Sequence, residues 1–394
     1  MIRILGIEEN VNSLNDIKKF VKRSKISLFN IPHENKFLMD KKELKFFKSK
    51  NVKKQLNEIS LIKNQFDLCV VSSWRAARLA YLSGIDYVIN FVGNDIRIPP
   101  FEKNSKPIYF NESVNNLNWI QRLFYKKIFQ NASECVSASD ETFSYLFKFR
   151  KDGIRIDRTV VDTNIFNLDV KPKTVEKQKF TFFCPQRIGL EKGTSILWNA
   201  LRLCKSDFDV IQCEWYDETS KEAFEESQKM VENIPKQVKL IPKIPREDMP
   251  KYYAAYDGIL GEMQLGLINN IEREASFFKK PVICYYNSNL KYLIDQKRIT
   301  APFLPNSNNP DEIASVIDKV VNSVKFREEL AEKEFDFISE YGNPEKAAAE
   351  WDDVFYKAVN KKRKKTSKLQ IFCRNLLYTI SHKSNNSTKD VILP

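Results

Sequence analysis

Residues 182–194 read FFCPQRIGLEKGT, and residues 195–204 continue as SILWNALRLC. The apolar run that ends at Pro185 has the composition of a short buried strand, and the stretch after Gly193 carries apolar residues at helical spacing. Between them stand Arg187 and, five positions on, Lys192. A strand that hands an arginine and a lysine to a loop, with a helix behind it, suits an anionic group. Arginine offers a planar fork to phosphate oxygens and lysine a mobile point charge. An ordinary exposed strand-to-helix loop would carry the same two residues.

Residues 257–285, DGILGEMQLGLINNIEREASFFKKPVICY, add a second pattern. A short strand leads into a polar loop holding Gly266, a helix is expected from about Asn269-Asn270, and PVICY reads as a strand. Glu274-Ala275 is followed seven residues later by Pro281-Val282. Together with Arg187, Lys192 and Gly193, this spacing resembles the donor-binding segments of nucleotide-sugar glycosyltransferases, in particular retaining family 4 (group 1). The resemblance runs over residues 1–358 and implies the GT-B architecture. That is an α/β fold of two Rossmann-like doubly wound domains facing a central cleft.

The rest of the chain fits that class. Its 394 residues can build two domains with real cores, and 42% hydrophobic with 29% charged residues describes a folded chain, not a disordered one. No apolar run approaches the roughly 20 residues that cross a bilayer. The chain opens on the strand-like MIRILGI, without the pattern of a secretory leader. Seven cysteines lack CxxC pairing, and the first six lie in or beside apolar runs, which points to reduced thiols and a cytoplasmic protein. His33 and His382 are the two histidines, too few for a histidine-rich metal centre.

Strands are expected at 2–7, 26–30, 66–71, 86–92 and 134–137 in the first half, and at 180–184, 208–212, 238–241, 258–260 and 281–285 in the second. Helical patterns lie between them, as in parallel α/β sheets. The expected division is 1–170 for an acceptor domain and 171–344 for a donor domain, with polar 171–179 as linker. By resemblance, a helix at 345–359 returns to the first domain, and a basic tail at 360–394 follows. Ligands in such sheets bind beyond the carboxyl ends of the strands. On the first half this marks Glu8-Glu9-Asn10, Ser72-Ser73-Trp74, the Gly93 to Arg97 turn, and Ser137 to Asp140.

The net charge of +13 suits anionic partners, and much of it lies in the tail. From Val354 to Lys389 ten lysines and arginines occur without an acidic residue, while Leu369, Ile371, Phe372, Leu376, Leu377, Tyr378 and Ile380 recur at helical spacing. This reads as a cationic block followed by an amphipathic helix, meeting an anionic membrane surface through residues 360–383, and so a peripheral attachment at the inner face of the membrane. A solvated tail or a nucleic-acid contact is the other reading, although no nucleic-acid motif accompanies the charge.

The resemblance assigns roles. Arg187 and Lys192 would stabilise the charge that builds on the leaving phosphate, replacing a metal ion. Gly193, Asn269 and Asn270 would border the phosphates, the last two through the N-terminus of their helix. Glu274 would accept hydrogen bonds from the ribose hydroxyls; its alternative is a helix carboxylate beside Lys279 and Lys280. The loop from Gly266 to Asn270 would bind the donor; family members carry an acidic residue where Gly266 stands, so Glu262 or Gln264 would contact the sugar instead. Asp95, just after Gly93, would face the sugar or acceptor; alternatively it caps a turn and pairs with Arg97. Val92 stands where a histidine is common. The implied function is transfer of a sugar from a nucleoside-diphosphate donor to a glycan or lipid-linked acceptor, retaining, without metal or other cofactor. The alternative is an inactive GT-B-like scaffold at the membrane surface.

Overall fold

Short apolar runs separated by amphipathic stretches become parallel strands because each crossover helix has an apolar face to lay on the sheet. A computed structural model describes residues 1–8, 13–32, 45–103, 117–137, 140–156, 158–218, 220–361 and 366–383. It divides into two units, Met1–Val160 with Pro344–Pro394, and Val161–Asn343.

The first unit begins with β1 (Ile2–Glu8), α1 (Ser13–Phe20), β2 (Ser24–Asn30), β3 (Lys45–Phe46) and α2 (Val52–Ile62). It continues through β4 (Leu68–Ser72), α3 (Trp74–Ser83), β5 (Tyr87–Phe91) and the single turn α4 (Asn94–Arg97). Then follow α5 (Trp119–Asn131), β6 (Glu134–Ser137), α6 (Asp140–Phe149) and β7 (Ile154–Arg155). The seven strands are parallel, in the order β3-β2-β1-β4-β5-β6-β7. The chain therefore reverses direction of growth between β1 and β4.

The second unit holds β8 (Thr181–Cys184), α7 (Thr194–Leu203), β9 (Asp209–Glu214), α8 (Lys221–Val231), β10 (Val238–Pro242) and α9 (Met249–Ala255). After β11 (Gly258–Leu260) come α10 (Asn270–Ser276), β12 (Val282–Ile283) and the hairpin β13 (Tyr292–Ile294) and β14 (Lys297–Ile299). Helices α11 (Pro310–Asn322) and α12 (Val324–Tyr341) close it. Its five parallel strands run β10-β9-β8-β11-β12, so growth reverses between β8 and β11.

The sequence placed 161–170 in the first domain and read 171–179 as linker. Both stretches belong to the second unit: Val161 and Phe166 are buried in its core, Lys173 N donates to Lys251 O at 3.0 Å, and Lys177 pairs with Asp257 at 2.7 Å. Helix α13 (Pro344–Asn360) lies on the first unit, where Trp351, Val354 and Phe355 cover Ile4, Val70, Val88 and Val136 of the sheet. Its Asp352 accepts hydrogen bonds from Lys22 N and Arg23 N, both at 2.9 Å, and so ties the end of α1.

The tail is more than a free amphipathic segment. Helix α14 (Lys368–Lys383) packs on α3 and α5 of the first unit, with Leu377 and Tyr378 against its core. The lysine and arginine cluster at 362–365, and residues 384–394, lie outside the described residues. No helix among the described residues is long and apolar enough to cross a membrane.

Candidate functional site

The reversal between β8 and β11 opens a crevice at the carboxyl ends of the second sheet, where ligands of parallel α/β sheets are held. The loop after β8 brings Arg187, Lys192 and Gly193 there; the loop after β11 brings Glu262, Gln264, Gly266 and Asn269. The two loops touch. Met263 N donates to Lys192 O at 3.1 Å, and Gly193, in the left-handed region at φ +67°, has no room for a Cβ: one would meet Met263 C at 2.8 Å. Ile188 N donates to Trp215 O at 2.6 Å, which ties the first loop to the end of β9 as well.

A buried carboxylate that sequence reading did not single out organises the second loop. Glu272, on α10, accepts from Gln186 Nε2 at 2.7 Å and Glu262 N at 2.8 Å through Oε1, and from Asn269 N at 2.9 Å through Oε2. One side chain thus joins both loops and the start of α10. Its signal in the sequence was an acid three positions after Asn269, the spacing of a capping box. The expectation that α10 directs its first N–H groups at phosphates meets this finding: the helix has seven residues, and Asn269 N is already bound to Glu272.

Glu262 is also fully buried. Oε1 accepts from Gln264 N at 2.7 Å and from Leu265 N, and Oε2 accepts from Asn269 Nδ2 at 2.9 Å. Burial raises its pKa to about 7, opposed by the Lys192 ammonium and the loop N–H groups and reinforced by Glu272. Both of its oxygens therefore shape the loop. Gln264 is partly exposed on the same loop. Gly266 stands at φ +69°, and a Cβ there would approach Asn287 and Tyr285 to 2.9 Å, so this backbone has no place for the acidic side chain that the resemblance leads one to expect.

Arg187 points its Nη2 at Glu191 Oε2, 2.6 Å away, and its Nη1 at Asp217 Oδ1, 3.4 Å away. Burial raises the Glu191 pKa while Arg187 opposes the rise. Glu274 is buried and not an exposed helix carboxylate. Arg246 donates to its Oε1 from Nε at 2.7 Å and from Nη2 at 2.6 Å, and Lys279 pairs elsewhere, with Glu332. Asn270 is exposed and accepts from Arg273 Nη1 at 3.3 Å.

Asp95 belongs to the first unit, at the carboxyl end of β5. Its carboxylate accepts from Gly93 N at 2.8 Å and Val92 N at 3.2 Å, and burial lifts its pKa to about 6 against those bonds. The side chain closes the turn. The Arg97 charge also opposes that rise, but its ion pair is with Glu141, which it reaches through Nε at 2.7 Å and Nη2 at 2.8 Å. Around it, Glu8 accepts from Ser13 Oγ and Leu14 N, and Ser73 Oγ accepts from Ala76 N to start α3. Residues 9–12, His33 and Ser139 lie outside the described residues.

Residues 166–336 match the family model described as glycosyl transferases group 1, a span contained in the second unit. Among solved structures, the chain is similar to HepE of Anabaena in complex with UDP and glucose, at 15% identity and TM-score 0.64, covering 90% of this chain and 100% of that one. It is similar to sucrose-phosphate synthase of Thermosynechococcus elongatus, at 12% identity and TM-score 0.65 over 91% and 99% of the two chains. A glycosyltransferase of Rickettsia africae aligns at 14% identity and TM-score 0.63 over 92% and 99%. No curated protein sequence matches. The likeness to these structures is one of fold, two parallel-sheet Rossmann-like units of the GT-B type, and the expectation from Arg187, Lys192 and Glu274 is met at that level. The match over residues 166–336 and the shared GT-B fold together support a glycosyltransferase.

Proposed function

We propose that the second unit binds a nucleoside-diphosphate sugar at the β8/β11 crevice and that the enzyme passes the sugar to a glycan or lipid-linked acceptor. The observation that carries this reading is the joining of the two loops at the switch point, with Arg187 and Lys192 on one and the Glu262–Glu272 network on the other. Neighbours of the same fold were solved with UDP-glucose, in HepE, and with ADP, in starch synthase IV of Arabidopsis thaliana.

In the reaction, the bond from the anomeric carbon to the phosphate oxygen breaks and the acceptor oxygen takes its place. The acceptor proton leaves with the nucleoside diphosphate. Negative charge grows on the leaving phosphate, so cations placed beforehand favour the transition state over the ground state. Glu191 and Asp217 hold the Arg187 fork in one orientation, and Lys192 adds a mobile charge. These side chains would take the role of a metal ion. Glu274 would meet the ribose hydroxyls, sharing its carboxylate with Arg246. Retention of the anomeric configuration follows the family 4 resemblance. Asp95 would border the acceptor side through its turn. The place of reaction is then the cytoplasm, at an anionic membrane surface.

Thermal unfolding against UDP-, GDP-, ADP- and CMP-sugars tests the reading, since a ligand of the folded state raises the midpoint by mass action. A rise with one nucleotide, lost in Arg187→Lys and Glu274→Gln, supports it. No rise with any of them, in a protein that unfolds cooperatively, would replace it with a non-catalytic scaffold.

A further inference from the structure

Helix α14 is apolar on two opposite faces. The inner face is spent on the first unit. Ile371 lies against Gly84, Arg374 Nη1 donates to Tyr81 O at 3.0 Å with its guanidinium over the Tyr81 ring, and Asn375 Nδ2 donates to Leu82 O at 3.2 Å. Phe124 of α5 meets the rings of Tyr378 and His382. These contacts set the rotation of α14 about its axis.

The outer face carries Leu369, Phe372, Leu376 and Ile380, exposed by 71%, 63%, 48% and 49%. Steps of three, four and four residues keep them in one stripe, because each residue advances about 100° around a helix. On neighbouring α5, Trp119 is 74% exposed and Leu123 is exposed too. Within the two helices themselves the charge has one sign. Residues 354–389 contain no acid, and neither do residues 118–131, which carry Arg122, Lys126 and Lys127.

We infer that the outer face of α14, together with Trp119 and Leu123 of α5, is a docking surface for an anionic lipid bilayer. Apolar side chains on helices that carry cations and no acids complement an apolar phase with an anionic rim, which is what such a bilayer presents. Tryptophan with its polar N–H is suited to that boundary. The helix would lie in the surface, held in register by its inner contacts, and would present the first unit to the lipid face. This extends the reading of a lipid-linked acceptor, but it stands on residues of the first unit only.

The test is sedimentation of the full chain with vesicles of phosphatidylcholine alone or mixed equally with phosphatidylglycerol. Binding to the mixed vesicles is expected to be at least about tenfold tighter, reduced but not abolished by salt. Phe372→Ser with Leu376→Ser should weaken it at least about tenfold, with the unfolding midpoint unchanged because both side chains are exposed. Lys126→Glu with Lys127→Glu should weaken the preference for the anionic lipid. Equal binding to both vesicles, no binding, or a serine variant that binds like the parent would overturn the inference. So would a dimer dissolved by the serine pair, or duplex DNA that competes fully with the vesicles. Donor-induced stabilisation, measured on the same variants, reports on the second unit, so loss of that signal without loss of vesicle binding would sink the donor reading and spare this one.

Discussion

The Arg187 guanidinium stands 2.6 Å from Glu191 and 3.4 Å from Asp217, so the cation assigned to the donor phosphates is held by one carboxylate of its own loop and one that follows β9. Removing it does two things at once. Arg187→Ala leaves both carboxylates without their cation, and breaking so buried a pair should lower stability by about 3 kcal/mol. Arg187→Lys keeps the charge but loses the fork. We expect Arg187→Lys to unfold near the parent midpoint yet lose most of the donor-induced rise, and Arg187→Ala to lose both. Differential scanning fluorimetry with and without donor separates the two effects.

Glu274 raises the same issue in sharper form, because Arg246 already binds one of its oxygens twice. Glu274→Ala should destabilise the second unit by about 3 kcal/mol through loss of the buried pair with Arg246. The function-specific readout is the ribose. Glu274→Gln should remove the preference for a ribonucleotide over its deoxyribose analogue, measured as a ratio of dissociation constants. An unchanged ratio would make Glu274 a partner of Arg246 and nothing more.

Stability should also depend on pH in a direction set by Glu262. Its folded pKa, about 7, lies above its ordinary value of 4.5, so the folded state holds the proton more tightly. The contribution is fully present below pH 4.5 and is lost as pH rises through 7, by up to about 3 kcal/mol. Asp95, raised from 3.8 to about 6, acts in the same sense. Denaturant unfolding of the parent and of Glu262→Gln should therefore diverge from pH 5 to pH 8, the variant gaining relative stability on the alkaline side.

Gly84 offers a way to release α14. It sits at φ +75°, and a Cβ there would come within 2.5 Å of Ile371. Gly84→Ala should cost about 1–2 kcal/mol and speed tryptic cleavage at Arg374, while adding Ile371→Ala should restore part of the protection.

How much of this was legible follows from where the signals sit. Arg187 and Lys192 could be read because a strand, a loop and a helix are consecutive, and the parallel strands could be read because fully buried strands are apolar throughout. The role of Glu272 could not, since its partners Gln186 and Glu262 come from other loops and only the fold brings them together. Gly266 read as a missing acid; its left-handed backbone, with Asn287 and Tyr285 close by, could be seen only in the fold. In the tail, helical spacing found Ile371 and Phe372 alike, and only packing on Gly84 and Phe124 told the inward residues from the outward ones.

The second unit is entered at Val161 and left at Gly342, whose carbonyl accepts from Val161 N at 3.3 Å. It is an excursion made by the chain in the middle of building the first unit. During synthesis the first sheet emerges early, but the helix that covers Ile4, Val70, Val88 and Val136 emerges only after residue 344. Domains fold as units as they leave the ribosome, so the donor half can close while the older sheet still waits for its lid. The second unit is complete in sequence at Asn343, so a chain that has emerged only that far holds all of the second unit while the first still lacks α13.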